Sequence, residues 1–495
     1  MESRRSGDGV IDRAVIGSAL RWTALGRLSA QLLAWGVTIF VLRLLRPEDY
    51  GLAAVCTAVV GAVSLVSDFA LSAGLVQARE LAREQLRAVL GAVLLISLAC
   101  TAAVWAAAPA LGAFFDSPQA VPMIRAAALQ LLLGPWAAVP DAMLRRELRY
   151  RALAAVEFGS VIAASAATLT LALVRADAWA LVLGPVAGVA VRLLLLQMLS
   201  PSRLWPAFDF RPARALIRFG ATMAASRVAG YVFGQSDLWI AGRALPKAQL
   251  GEYSVAMQLA MLPMSKAMGV LNDALFPLVA RLHRDGHEMR RPILDGLRLG
   301  MYVAVPALWG FSLVAADLLP LLIGAHWLNA VPVIQIVCLL LPVRAVNVAL
   351  STVLQGSGRA DLDLRNTLTG ALILPPLFMV GVSHGPLGLA AAWAVGLPVV
   401  VAANVARSRS ALGVGGLELV STALARPLLM GAAMLAAGLA VRRLGFQSTP
   451  GWPALAATLF VAQAVYWTLL ATFDREGLRR LLEIVGWSRR GAAST

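Results

Sequence analysis

Charge is scarce in this chain: 14% of the residues are Asp, Glu, Lys or Arg, against about 25% in an ordinary soluble domain. That scarcity excludes a soluble globular protein. With 59% hydrophobic residues and a mean hydropathy of +0.75, the chain reads as a polytopic membrane protein. Lysine is nearly missing. Lys and Arg total 43, but only Lys247 and Lys266 are lysines, so the net charge of +16 rests on arginine. Such basicity often marks a nucleic-acid partner. Here the arginines lie between apolar runs, as membrane topology requires, and no nucleic-acid partner is expected.

Cysteine is also rare. Cys56, Cys100 and Cys338 sit inside apolar segments without CxxC spacing, which excludes a disulfide framework and a zinc site of that kind. His283, His287, His326 and His384 fall in connections and show no metal-ligand spacing. Neither lysine lies in a GxxxxGK[ST] loop, and HExxH and GxSxG are missing too. The outer connections are short, which disfavours a membrane enzyme with acid/base groups on loops. The chain is therefore expected not to be an enzyme and to need no cofactor.

What is present is a succession of apolar runs of spanning length, fourteen in all, the first at residues 17–43 and the shortest at 427–441. The first run is too long for a signal-peptide core and is read as a retained helix. Arginines crowd into alternate connections, such as Arg145, Arg146, Arg149 and Arg151, then Arg281, Arg284, Arg290 and Arg291. The opposite connections hold few, among them Arg175, Lys247 and Arg442. By the positive-inside rule both termini are cytoplasmic.

An internal repeat divides the chain. Arg43-Leu-Leu-Arg-Pro-Glu-Asp-Tyr-Gly51 is similar to Arg243-Ala-Leu-Pro-Lys-Ala-Gln-Leu-Gly251, two hundred residues later. Ala120-Val-Pro-Met-Ile-Arg125 is similar to Ala330-Val-Pro-Val-Ile-Gln335. The expected fold is all-α, with two six-helix lobes related by a pseudo-two-fold axis along the membrane normal, plus two C-terminal helices. The expected domains are an N-lobe at 1–200, a cytoplasmic interfacial linker at 201–215, a C-lobe at 216–410, helices thirteen and fourteen at 411–473, and an amphipathic cytoplasmic tail at 474–495.

Charges inside apolar helices are costly and so mark function. Arg21 and Arg27 lie in the first helix, six residues apart, with Gly26 between them. Arg27 faces a cavity on this reading, whereas Arg21 either does the same or snorkels to the cytoplasmic interface. The repeat carries Arg27 onto Arg227 in helix seven, so the two arginines occupy equivalent places. Lys266 and Asp273 share a face of helix eight, either as an internal ion pair or as cavity lining. Arg344 and Arg192 are further candidates, and Arg125 is read as interfacial. The anionic candidates are Asp68, Asp237, Asp273 and Asp317. Asp237 either carries a coupling H+ or Na+ or pairs with a nearby arginine.

These features together resemble the polysaccharide transporter (Wzx-type flippase) branch of the multidrug/oligosaccharidyl-lipid/polysaccharide exporter superfamily. The resemblance rests on Leu45-Arg-Pro-Glu-Asp-Tyr-Gly51, Asp68-Phe-Ala-Leu-Ser-Ala-Gly-Leu-Val-Gln77, Ser236-Asp-Leu-Trp-Ile-Ala-Gly242 and Leu250-Gly-Glu-Tyr253. It covers residues 15–475 approximately. It implies a central cavity and alternating access that moves an undecaprenyl-diphosphate-linked oligosaccharide to the outer leaflet of a bacterial inner membrane. It implies membrane lipid, polymerase and glycosyltransferases of the same pathway as partners. Related lipid II flippases place arginines six apart in helix one, as Arg21 and Arg27 are, and further cations in helices two and eight. Lys266 stands for the latter, while helix two here offers none. Diphosphate recognition is then expected at Arg27, Arg227, Arg21, Lys266 and Arg344, with Asp237, Asp273 and Asp68 as coupling carboxylates. A cation-coupled multidrug extruder of the same superfamily is the competing reading, and it would require an acidic, aromatic-lined cavity.

Overall fold

The computed structural model describes the backbone of residues 13–77, 83–147, 149–200, 205–211, 214, 217, 230–231, 234–284, 289–444 and 451–490. Side chains are described within those segments except at 13–28, 65–77, 83, 135, 146, 265–278, 280, 282–284, 360, 411–412 and 484–490. Every regular element among the described residues is helical. A chain without water to bond its backbone satisfies each N–H and C=O within its own helix.

Two compact units follow one another in the chain, the first running to Gln235 and the second covering Ser236–Ser488. The first holds α1 (Arg13–Leu44), α2 (Pro47–Gln77), α3 (Arg83–Phe114), α4 (Ala120–Ala127), α5 (Leu129–Arg146), α6 (Tyr150–Val174) and α7 (Trp179–Leu199). The second holds α8 (Ser236–Ala244), α9 (Lys247–Arg284), α10 (Arg290–Ile323), α11 (Val331–Gly356), α12 (Ala360–Gly381) and α13 (Gly385–Leu412). It continues through a π-turn at Val420–Leu424 into α14 (Ala425–Arg443), then α15 (Trp452–Phe473) and α16 (Arg475–Arg490).

By length and composition, eight spans among the described residues suffice to cross a membrane, or nine if a bent pair counts as one. That pair is the run expected as a single fourth helix. It bends by 43° between Gly134 and Trp136, where a Gly-Pro step interrupts the helical ladder.

In the first unit α7 packs on α6 through Gly184 and Gly188. A Cβ on Gly188 would lie 2.8 Å from the Ala164 Cβ, so the small residue permits the contact. Asp141 on α5 joins α7 by accepting from Arg192 at 2.8 Å, and it also accepts from Arg145 at 2.6 Å. Arg192, a secondary cavity candidate from the sequence, thus serves a helix contact. Arg125 meets Trp105, each donating to the other's backbone carbonyl, at 3.4 and 2.9 Å.

The repeated turn motif takes the same course in each unit. In the first, α1 ends at Leu44, Leu45 is buried, and α2 starts at Pro47. The Asp49 carboxylate accepts from the Arg46 backbone N–H at 3.0 Å, half of a capping box. In the second, α8 ends at Ala244, Leu245 is buried, and α9 starts at Lys247, whose Nζ donates to the Gly242 carbonyl at 3.0 Å.

α12 and α13 form a hairpin around Gly385, whose φ of 71° suits a residue without a Cβ. Their backbones meet at Gly381 and Gly388; a Cβ on Gly388 would run into the Gly381 carbonyl oxygen. Gly388→Ala is therefore expected to cost about 1–3 kcal/mol by overpacking. The check is a lower midpoint of thermal unfolding in detergent relative to the parent chain, with Gly36→Ala, in a helical conformation and with no neighbour in reach, as the control.

The C-terminal pair α14–α15 packs on α10. Gly431 lies against Val305 and Trp309, and Gln463 Nε2 donates to the Pro306 carbonyl at 2.9 Å. The pair is fastened at both ends. At one, Arg442 donates to Asp317 at 3.0 Å and to the Leu313 carbonyl at 2.8 Å. At the other, buried Asp474 accepts from Arg298 and Tyr302, and from the Gly477 backbone N–H at 3.0 Å. Arg426 stands 3.8 Å from the same carboxylate. Arg480 on α16 adds a bond to Asp295 of α10 at 2.7 Å. α16 is thus tied to α10.

Candidate functional site

Two of the charged residues singled out in the sequence come together in the second unit. Asp237 sits in the first turn of α8 and is 3% exposed. A buried carboxylate needs donors, and three converge on it. The Leu238 backbone N–H reaches Oδ1 at 2.9 Å. The Tyr253 hydroxyl of α9 donates to Oδ2 at 2.6 Å, and the Trp393 indole N–H of α13 reaches the same oxygen at 3.2 Å. Trp393 also donates to the Tyr253 oxygen at 3.1 Å. Tyr253 and Trp393 are buried.

Arg344 completes the cluster from α11. Its guanidinium carbon stands 5.4 Å from the Trp393 ring centroid, within cation–π range. Among the described residues it has no hydrogen-bond or ion-pair partner. The indole is backed by Phe378 of α12, ring centroids 5.1 Å apart. Helix packing explains the placement. Phe378 precedes Gly381 by one turn, and Trp393 follows Gly388 by little more than one turn, so the close glycine crossing brings both rings together.

A second polar layer joins the same helices farther along α13. Asn404 donates to Asn347 of α11 at 2.9 Å, Asn366 of α12 donates to Ser408 at 3.1 Å, and Arg407 donates to Asn366 at 2.9 Å. Asn366, Asn404 and Ser408 are buried. Paired amides of this kind hold helices together where water is excluded.

The remaining sequence candidates lie elsewhere. The side chains of Arg21, Arg27, Asp68, Lys266 and Asp273 and the whole of Arg227 are outside the described residues. Asp317 is engaged by Arg442. Sequence reasoning missed Tyr253 and Trp393 as members of the site. Tyr253 closes a motif that carried the family resemblance, but nothing in one sequence says that its hydroxyl meets Asp237. Trp393 carries no local signal at all.

The fold defines the class. The chain superposes on the structure described as lipid II flippase MurJ in an inward closed conformation with a TM-score of 0.74, at 13% identity, over 92% of this chain and 99% of that one. It superposes on an inward-facing multidrug resistance MATE family transporter with a TM-score of 0.61, at 15% identity, over 79% and 98% of the two chains. At such identity the likeness concerns the fold: an all-helical multi-pass membrane protein of the architecture those transporters share.

The chain belongs to the polysaccharide biosynthesis protein family, whose model matches residues 40–332. Among curated proteins it is 24% identical over 474 residues to the succinoglycan biosynthesis transport protein ExoT of Rhizobium meliloti, covering 94% of each chain. It is 23% identical over 375 residues to the lipopolysaccharide biosynthesis protein WzxC of Escherichia coli, covering 75% of this chain and 76% of that one.

Proposed function

We propose that the protein is a flippase that moves an undecaprenyl-diphosphate-linked oligosaccharide from the cytoplasmic to the outer leaflet by alternating access. The observation that carries this reading is Arg344. A guanidinium set in an apolar helix, held by an aromatic face and without a described protein anion in contact, suits an anionic ligand. A diphosphate is the large charge on such a lipid, and arginine binds its oxygens as a planar fork. Arg27, Arg227, Arg21 and Lys266 extend the cationic set. This chemistry opposes a multidrug extruder, which would concentrate carboxylates for cationic drugs.

The reading places the protein in a bacterial inner membrane with both termini cytoplasmic. It acts as a transporter and not as an enzyme. The glycosyltransferases that build the oligosaccharide and the polymerase that consumes it act before and after it. An H+ or Na+ gradient supplies the energy, with Asp68 and Asp273 as the coupling carboxylates.

The test is a leaflet assay. Cells lacking the protein are expected to hold the lipid-linked oligosaccharide on the cytoplasmic leaflet, and the restored chain to return it outside. Arg27→Ala and Arg227→Ala are each expected to lower the outer-leaflet signal about tenfold, equivalent to one charge-assisted hydrogen bond. An unchanged leaflet distribution in the deletion would refute the function.

A further inference from the structure

The geometry points to Asp237 as a positioning residue and not an ion carrier: with Tyr253 it fixes the Trp393 indole, and the indole seats Arg344 so that its N–H edge meets the substrate's phosphates. This inference rests on the flippase reading and names one place where that function recognises its substrate.

The oxygens of Asp237 are already engaged. Oδ1 takes the Leu238 N–H, while Oδ2 takes the Tyr253 hydroxyl and the Trp393 indole N–H. An Na+ bound there would have to displace these donors, and a proton on Oδ2 would compete with both side-chain bonds. The indole, in turn, is held on three sides. Its N–H is shared between Asp237 and Tyr253, and Phe378 supports the ring. A ring fixed in this way offers Arg344 an oriented π-face.

The contact is made through the indole ring, and none of the five N–H donors of the guanidinium meets an acceptor among the described residues. Arg344 makes no direct ion pair with Asp237, whose Oδ2 is occupied by the indole N–H and the Tyr253 hydroxyl. An aromatic ring attracts a cation without neutralising it. The ring therefore restrains Arg344 from swinging while leaving its N–H donors for a ligand. Phosphate, with three or more acceptor oxygens per group, matches an oriented fork better than a single carboxylate does.

Purified full-length protein in nanodiscs provides the test, with undecaprenyl diphosphate as the probe, undecaprenyl monophosphate as the control and phosphatidylglycerol as competitor. Each variant is also scored in the leaflet assay at two external pH values and with Na+ present or replaced. Asp237→Asn keeps an acceptor oxygen for Tyr253 and Trp393 and removes the charge. It is expected to bind and transport within about threefold of the parent chain, with unchanged pH and Na+ dependence. Asp237→Leu removes the acceptor and is expected to weaken diphosphate binding about tenfold or more. Trp393→Phe keeps a ring but loses the N–H anchor, and an intermediate loss of binding from a folded protein is expected; it serves if Asp237→Leu does not fold.

If Asp237→Asn binds the diphosphate normally but no longer transports, or loses its pH or Na+ dependence, Asp237 is an ion carrier and the positioning role is wrong. If Trp393→Phe and Asp237→Leu bind as the parent does, the seat is unnecessary and the inference again fails. Displacement of the probe by phosphatidylglycerol at equal concentration would make Arg344 a general phospholipid contact, which also overturns it. Failure of the parent chain itself to bind undecaprenyl diphosphate would fall on the flippase reading, and with it this inference.

Discussion

Arg344→Ala is expected to lower outer-leaflet delivery of the lipid-linked oligosaccharide about 30-fold or more while the protein still inserts and folds. Removing one partner of a buried, hydrogen-bonded charge contact costs about 2–5 kcal/mol, and 1.4 kcal/mol is tenfold. Folding is expected to survive because Arg344 neutralises no described side chain by direct contact; its only described partner is the Trp393 ring. The loss should fall on transport and diphosphate binding together. Arg344→Lys keeps the charge as a point and loses the planar fork, so partial recovery of binding measures how much the fork matters. Full transport in Arg344→Ala, measured beside an unchanged membrane level of the protein, would remove Arg344 from the site.

The second large effect concerns stability and lies at the far end of the same unit. Asp474→Ala is expected to cost about 3–5 kcal/mol, the usual penalty for stranding a buried charge partner. The loss strands Arg298, which is half-buried beside Tyr302, and releases Arg426 and the first turn of α16. Against a total stability of about 5–15 kcal/mol, that is a large share. The measurable result is a fall in the thermal midpoint and in folded yield after detergent extraction. Asp474→Asn retains acceptor oxygen for Tyr302 and should fall between. Arg480→Ala, whose bonds to Asp295 and Glu476 are surface exposed, is expected to change stability by about 1 kcal/mol or less. Equal effects from Asp474→Ala and Arg480→Ala would show that burial of Asp474 is not what fastens the tail.

Much of the architecture was legible before any coordinates. Apolar periodicity announces membrane helices because the bilayer leaves the backbone no other partner. The repeat between Arg43–Gly51 and Arg243–Gly251 marks turns that take the same course in each unit, since proline or lysine at the helix start and a buried leucine before it are local features. Asp237 and Arg344 stood out because charge is costly in apolar helices. The pairing of α14–α15 onto α10 was not legible. Its glycines at 431 and 438 and its hub at Asp474 depend on which helix lies opposite, and one sequence does not record that. Arg192 and Asp317 show the same limit: each is a charge in an apolar run, and each proves to serve a helix contact, with Asp141 and Arg442 respectively.

By itself the sequence determined the class of the protein, its helical material, its repeated turns and the family it resembles, because composition and local spacing carry those properties. Only the tertiary structure decided what Asp237 and Arg344 are to each other. Residues more than a hundred positions apart are joined by Trp393 and Tyr253, through a crossing that two glycines allow. Hydrogen bonds and ring contacts are short-range, so their partners are chosen by helix packing and not by distance along the chain.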